Sequence, residues 1–86
     1  MKLKDNFITQ DIDGTQFLVA VGDSKFNGIV RSNGTAAAIV DLLKEETTKE
    51  QIVDAMCRRY DAPRERIEAD VEMILDKLRG IGAIEE

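Results

Sequence analysis

Two short runs rich in β-forming residues, the second apolar on one face and nearly so on the other, predict a β-hairpin in the first third of the chain. Residues 7–12 and 15–21 are rich in Phe, Ile, Val and Thr, and Asp13-Gly14 lies between them. Asp-Gly is a strong signal for a two-residue hairpin turn, because both central residues of a type I′ turn need positive φ angles. The pattern therefore predicts two antiparallel strands joined by a tight turn.

A third strand and the first helix follow in direct succession. Turn-forming residues within 22–28 precede an apolar pair, and residues 29–32 are predicted to form the third strand. Asn33 is a candidate N-cap, because its side chain can accept hydrogen bonds from backbone N–H groups of the first helical turn. The first helix is predicted over residues 35–44, and its Ala-rich start would let another element pack closely.

Two further helices are predicted in the second half of the chain. Thr48 and Gln51 fit a capping box, so the second helix should begin near Lys49. Pro63 suits the first position of the third helix, where a missing N–H costs no hydrogen bond, and this helix should extend to Gly80. Its apolar residues are spaced for one buried face, which consists of Ile67, Val71, Ile74, Leu75 and Leu78.

The order β-β-β-α-α-α predicts the fold class. It is an α+β fold with an N-terminal three-stranded antiparallel sheet followed by three helices, a winged helix-turn-helix-like arrangement. A chain of 86 residues is too short for two hydrophobic cores, so we expect residues 1–86 to form a single domain. Ile81 and Ile84 follow the third helix and are expected to fold back onto that core.

The charge and cysteine content narrow the classes of partner and compartment. A formal net charge of −5 would repel nucleic-acid backbones and anionic membranes, so neither is expected as a partner. Cys57 is the only cysteine, which excludes an internal disulfide and suits a reducing compartment. The N-terminal residues lack the apolar run of a signal peptide, and no stretch is long and apolar enough to span a membrane. We therefore expect a cytoplasmic protein.

Residues that usually carry catalysis are scarce. The chain has no histidine, the most frequent general base and a common metal ligand. Cys57 lies mid-helix without a histidine partner and is expected to be a small buried hydrophobe, although its reactivity stays open. Gly80 and Gly82 follow a helix, whereas the glycines of phosphate-binding loops open one. The sequence predicts a protein with no catalytic residue, no metal site and no cofactor.

Several motifs occur in the order that a known family has them. They are the junction GIVRSNGTAA, the helix start TKEQI, Tyr60, the motif EADV, and ILDKL with a closing GAI. Together they resemble the PqqD-like family, named for pyrroloquinoline quinone biosynthesis protein D, over about residues 7–84. Ser32 departs from the family, which often has leucine there, and KEE at residues 44–46 replaces an Asp-Gly pair.

The resemblance implies a non-catalytic adaptor that recognises ribosomally made, post-translationally modified peptides. In that family the leader of a precursor peptide adds as a strand beside the third strand, against the third helix. The captured leader is presented to a modifying enzyme, often a radical SAM protein. The implied partners are a precursor (leader) peptide and a radical SAM or other peptide-modifying enzyme, and the adaptor itself would be a monomer or a weak dimer.

Physical chemistry supports the same binding mode. A three-stranded sheet has two edges with unpaired N–H and C=O groups, and an incoming peptide can pair with one of them. The expected strand edge consists of Ile29, Val30 and Arg31. The expected helix side of the cleft consists of Asp70, Met73, Ile74 and Lys77. The two charged helix residues would select charge at opposite ends. Core packing is the alternative for the aliphatic residues, and a solvated helix face for the charged ones.

Two other functions compete with the adaptor. A DNA-binding regulator is favoured by four arginines near the turn between the second and third helices, Arg58, Arg59, Arg64 and Arg66. The third helix, however, has five acidic residues against four basic ones, whereas a helix that reads DNA should be basic. Asp23-Ser24 is similar to the attachment site of a carrier protein, but that serine should open a helix and here it precedes a strand.

Overall fold

The hairpin at Asp13-Gly14 is a predicted feature that the structure confirms. The computed structural model describes residues 1–21 and 29–86, and φ is 51° at Asp13 and 80° at Gly14. The turns predicted within residues 22–28, and with them Asp23-Ser24, lie outside the described residues. In chain order the elements are β1 (Lys2–Leu3), β2 (Phe7–Ile12), β3 (Thr15–Ala20), β4 (Ile29–Ser32), α1 (Gly34–Leu42), α2 (Lys49–Arg59), α3 (Arg64–Gly80) and β5 (Ile84–Glu85).

The predicted three-stranded sheet consists of β2, β3 and β4, in that order and antiparallel throughout. Leu18 pairs with Val30, and Val19 pairs with Ile29. Because successive side chains of a strand point to opposite faces, these two pairs lie on opposite sides of the sheet. Leu18 is fully buried in the core, so we call its side the inner face and the other side the outer face. Apolar side chains stay exposed on the outer face, among them Ile8, Ile12 and Ile29.

A second, two-stranded sheet is absent from the sequence-based prediction. β1 pairs antiparallel with β5, which places Leu3 opposite Ile84. Ile84 is buried, as predicted, and Ile81 packs partly buried against the core. The chain after α3 is therefore held beside β1, away from β4.

Local capping signals fix the starts of α1 and α2. The Asn33 side chain accepts a hydrogen bond from the backbone N–H of Ala36 at 2.8 Å, and α1 begins at the next residue after this cap. The Thr48 hydroxyl accepts from the N–H of Gln51 at 3.1 Å, and the Gln51 side chain accepts from the N–H of Thr48 at 3.2 Å. Both predicted caps are confirmed.

Three helix boundaries differ from the prediction. Pro63 is not the first residue of α3: its ψ angle of 141° is outside the helical region, and the helix begins at Arg64. Proline fixes φ but leaves ψ free, so it can stand just before a helix as easily as inside its first turn. The first helix begins at Gly34, one residue before the predicted start, and ends at Leu42, two residues before the predicted limit.

The three helices bury one continuous aliphatic core against the inner face of the sheet. Every residue of the predicted apolar stripe of α3 is buried. Cys57 is a correction, because it is only partly buried at the margin of the core. The predicted α+β class, with a three-stranded sheet followed by three helices, is confirmed.

Candidate functional site

A groove runs between β4 and α3, with α1 as its floor. Its cavity volume is about 220 Å³. Leu18 and Val30 hold β4 to the sheet on one side, while the opposite edge of β4 has no partner strand among the described residues. The groove is lined by Val30, Arg31, Ser32, Asn33, Ala36, Val40, Met73, Ile74, Lys77 and Leu78.

Five of the seven residues predicted for the site line this groove. Val30 and Arg31 come from β4, and Met73, Ile74 and Lys77 come from α3. The spacing of the helix residues explains their common direction, because positions three and four apart lie on the same face of an α-helix. Met73 is 51 % exposed, whereas Ile74 is 9 % exposed and also belongs to the core. The groove thus has an apolar wall with the cationic side chain of Lys77 beside it, while Arg31, like Ile29, lies on the outer face of β4 and borders the groove at the strand edge.

The structure places the other two predicted residues outside the groove. The side chain of Ile29 lies on the outer face and is 65 % exposed, so only its backbone belongs to the strand edge. Asp70 lines a different pocket, one helical turn before Ile74. Strand alternation separates Ile29 from Val30, and Asp70 lies in a pocket with residues of α2 and the first turn of α1.

Sequence reasoning missed the floor and one end of the groove. Ala36 and Val40 form the floor, and Leu78 extends the helix wall. The Ala-rich start of α1 was the available signal, because a small side chain leaves space between two elements. Leu78 follows Ile74 by four residues, so helix periodicity alone could have included it.

The cationic residues near the groove lack ion pairs with described residues, whereas charged residues on the opposite face of α3 form them. Arg31 and Lys77 make no ion pair with any described residue. On the back of the helix, Lys49 Nζ lies 2.7 Å from a Glu72 oxygen, and Arg79 lies 3.0 Å from Asp76 and 3.1 Å from Glu86. Lys77 at the groove and Arg31 on the outer side of the β4 edge are therefore available to a ligand, while the opposite face of α3 is tied to α2 and to the C-terminal residues.

Hydrogen bonds within this network shift three pKa values. The hydrogen bond from Lys49 lowers the pKa of Glu72, and Arg79 adds to the effect. The hydrogen bond to Glu86 raises the pKa of Arg79. The hydrogen bond to Asp54, at 2.8 Å, raises the pKa of Arg64. These pairs join α3 to its neighbours at the protein surface.

A second pocket opens where the first turn of α1, the end of α2 and the start of α3 meet. Its cavity volume is about 170 Å³. Aliphatic, sulfur-containing and aromatic side chains form most of its wall, and Arg66 and Asp70 are the charged residues there. The lining residues are Thr35, Met56, Tyr60, Ala62, Arg66, Ile67, Asp70 and Val71.

The described residues lack the arrangements that bind a metal ion or cross a membrane as a helix. No group of three or more His, Cys, Asp or Glu side chains in the described parts of the chain is arranged to hold a metal ion. Within residues 1–21 and 29–86, no helix has both the length and the apolar character needed to cross a membrane.

Comparison with known proteins gives one family and two similar structures. The family model for coenzyme PQQ synthesis protein D (PqqD) matches residues 11–84. The structure of TbiB1 in complex with the TbiA(beta) leader peptide is 26 % identical in sequence, with a TM-score of 0.79, and the match covers 99 % of this chain and 100 % of that one. Lasso peptide synthetase B1 complexed with the leader peptide is 20 % identical, with a TM-score of 0.79 over 99 % of this chain and 96 % of that one. No curated protein matches the chain significantly.

Proposed function

This chain belongs to the PqqD family, and from that premise we propose that it is a non-catalytic adaptor for a leader peptide. It captures the leader of a ribosomally made precursor by β-strand addition and presents it to a modifying enzyme. The observation that carries this proposal is the edge of β4 that has no partner strand among the described residues, beside an apolar groove. The similar structure of TbiB1 holds a leader peptide, which supports the same class of ligand here.

Strand addition explains how β4 and α3 would act together. The backbone N–H and C=O groups of Ile29–Ser32 that point away from β3 would pair with the peptide backbone. Alternate side chains of the added strand would point into the groove, between Val30 and the Met73-Ile74 surface of α3. Backbone pairing supplies affinity with little sequence demand, and the groove supplies selectivity.

The groove charges favour a particular peptide composition. Lys77 lies at the groove and Arg31 at the outer side of its β4 edge, and no acidic residue is among the described lining side chains. Asp70 lies beyond the other end, beside the second pocket. We expect the preferred leader to place an acidic residue near Lys77, and another near Arg31 on the outer face, beside an apolar residue that enters the groove. This orientation would keep Asp70 and Lys77 as charge selectors at opposite ends.

DNA binding is not favoured for this fold. The helix that would read DNA is α3, and it carries five acidic residues against four basic ones. Arg64 is paired with Asp54 and Glu68, which removes one of the four arginines proposed for phosphate contacts. The sheet also precedes the helices, whereas the wing of a DNA reader follows its recognition helix.

The proposed setting follows from the adaptor role. The modifying enzyme would be a radical SAM protein or another peptide-modifying enzyme, and both proteins would act in the cytoplasm, where the precursor is made. A monomer or weak dimer suffices, because one β4 edge captures one peptide. We expect a dissociation constant on the order of micromolar, since a short peptide buries a small interface and loses conformational freedom on binding.

A charge placed in the groove tests the site. The probe is a fluorescent peptide of about 20 residues, selected for binding from a displayed random library and used in anisotropy titrations. Met73→Asp should weaken binding about tenfold or more, because a carboxylate would have to be desolvated against the apolar peptide side chain. Met73 is 51 % exposed in the free protein, so the variant should fold.

Ile12→Asp is the matched control for this change. Ile12 is 54 % exposed on β2, at the opposite edge of the sheet from β4, and its replacement should leave binding unchanged. N-methylation of the peptide at successive residues completes the test. Loss of binding at alternate positions is expected of strand pairing, since only every second N–H faces β4. If folded Met73→Asp binds like the unchanged protein, the groove is not the peptide site.

A further inference from the structure

We infer that Ser32, together with Gln16 behind it, selects a leader peptide that carries a neutral hydrogen-bond donor at one position in the groove. The donor is the hydroxyl of a serine or threonine, or the carboxamide of an asparagine or glutamine. The inference rests on the proposed function, because it assumes that the peptide pairs with β4. It goes further by giving the chemistry of one peptide residue, which neither the strand pairing nor the apolar wall requires.

Ser32 brings a buried hydroxyl group to the groove. Its side chain lies on the inner face with that of Val30, because the two residues are two positions apart on β4. The serine is 8 % exposed and lines the groove together with apolar residues of α1 and α3. Its hydroxyl has no hydrogen-bond partner among the described residues. Because a buried polar group without a partner is unfavourable, a peptide side chain that supplies one should bind better than a side chain that does not.

Gln16 adds a second buried group without a partner next to Ser32. The two residues are register partners on β3 and β4, and the Cβ atoms of such partners are about 4.5 to 5.5 Å apart. The Gln16 amide nitrogen donates to the Asp41 carboxylate at 3.0 Å, and the amide oxygen is left buried and unpaired among the described residues. Since β4 is the edge strand, Ser32 lies between Gln16 and the groove. Two acceptor oxygens are therefore close together at one point of the groove.

The donors and acceptors of this pair decide which peptide side chain fits. A serine hydroxyl has one proton to donate and two lone pairs that accept. The Gln16 oxygen can only accept, so the Ser32 proton is best used on it, and the Ser32 oxygen is left to accept from the peptide. A carboxylate would face two oxygens with no proton of its own. An ammonium or guanidinium group would lose its hydration where no acidic residue is among the described lining side chains.

Strand geometry places the donor two residues from the apolar residue that enters the groove. Side chains that point to the same face of an added strand are two residues apart, as are Val30 and Ser32 on β4. One inward peptide residue would therefore lie beside Val30 and the Met73-Ile74 surface, and the next beside Ser32. Because Ser32 replaces the leucine frequent in PqqD-like proteins, we expect this preference of this chain and not of the family in general.

Threonine and valine at the same peptide position test the inference. The two side chains have nearly the same shape, and only threonine can donate a hydrogen bond. The library-selected peptide is made with threonine or with valine at each inward position of the N-methylation-sensitive segment, and every version is titrated by anisotropy. At one inward position the threonine version should bind about fivefold to tenfold more tightly than the valine version.

Ser32→Ala should remove this preference for threonine. The ratio of the two dissociation constants should fall below about twofold, because the oxygen that accepts from the peptide is gone. Thr9→Val is the matched control: it removes a hydroxyl from β2, at the opposite edge of the sheet, and should keep the preference. Circular dichroism checks that each variant folds.

Gln16→Leu tests the pair from the side that does not line the groove. Without the Gln16 oxygen, the Ser32 proton is free to point at the peptide, so the advantage of a donor over valine should shrink. This variant also keeps the inference testable if Ser32→Ala does not fold. Equal binding of threonine and valine at every inward position overturns the inference, and so does a preference that folded Ser32→Ala or Gln16→Leu retains in full. Equal binding is also the result expected if a bound water satisfies both oxygens.

Met73→Asp separates this inference from the proposed function. If Met73→Asp weakens binding of both peptide versions while the unchanged protein binds them equally, only the selection by Ser32 fails and the groove stands. If Met73→Asp binds both versions like the unchanged protein, the groove is not the peptide site, and the inference fails with it.

Discussion

At the scale of single residues, Gln16 and Ser32 bring two polar side chains into the inner face of the sheet. They are register partners on β3 and β4 and are 6 % and 8 % exposed. The Gln16 amide nitrogen donates to Asp41 at 3.0 Å, but its buried oxygen has no hydrogen-bond partner among the described residues. Ser32 stood out in the sequence as a departure from the family. Gln16 did not, because only the register shows that the two residues face each other.

Gln16→Leu is predicted to stabilise the protein. Removing a buried acceptor without a partner at nearly constant volume should raise the free energy of unfolding by about 1 kcal/mol. Losing the hydrogen bond from Gln16 to Asp41 should cost little, because the half-exposed Asp41 carboxylate can be hydrated and keeps its ion pair with Lys44. Urea denaturation measures the change. Gln16→Ala, which leaves a cavity instead, should lower the free energy of unfolding. A clear destabilisation by Gln16→Leu would refute this account of Gln16.

At the scale of elements, the sequence predicted the turns and helix caps that depend on contacts between residues close together in the chain. The Asp13-Gly14 turn, the Asn33 cap and the Thr48 capping box each depend on contacts between near neighbours in the chain. The β1–β5 pair joins Leu3 to Ile84, and two-residue strands have no periodicity to detect. Its existence depends on the folded arrangement of α3, which a local pattern does not contain.

The β1–β5 pair should contribute substantially to stability. Ile84→Ala is expected to lower the free energy of unfolding by about 2 to 4 kcal/mol, because it removes a buried branched side chain and leaves a cavity. Glu85→Ala, at an exposed position of the same strand, should change it by less than about 0.5 kcal/mol. Thermal or urea denaturation distinguishes the two. Equal effects would mean that the pair contributes no buried packing.

At the scale of the whole molecule, the sequence indicated the cleft but not its two ends. Both faces of residues 15–21 are apolar, so the inner face could not be identified in advance, and Ile29 was assigned to the cleft with Val30. Asp70 shares a helix face with Met73 and Ile74, and only the packing of α1 and α2 against α3 assigns it to the second pocket. Both misplacements come from packing between elements, which no single segment specifies.

Because of the ion pairs that join α2 to α3, the stability of the protein should decrease at acidic pH. Lys49 holds the pKa of Glu72 below its ordinary value of 4.5, so the unfolded chain binds this proton more readily than the folded one. The stabilisation is present above that value and is lost as the pH falls through the lower pKa of the folded state. Melting temperatures of Glu72→Gln should therefore fall less on acidification than those of the unchanged protein. Glu65→Gln, at an exposed position without an ion pair among the described residues, should follow the unchanged protein.

The row of apolar side chains on the outer face would differ between the peptide-free protein and its peptide complex. Ile8, Val19 and Ile29 form one row across β2, β3 and β4, and Ile29 at its end is 65 % exposed. A guest strand beside β4 would lengthen this row by one side chain of its own. An enzyme bound to the outer face would then contact a row of four side chains in the peptide complex and a row of three in the peptide-free protein. The enzyme would thus distinguish the peptide complex from the peptide-free protein at a surface outside the groove, without a conformational change in this protein.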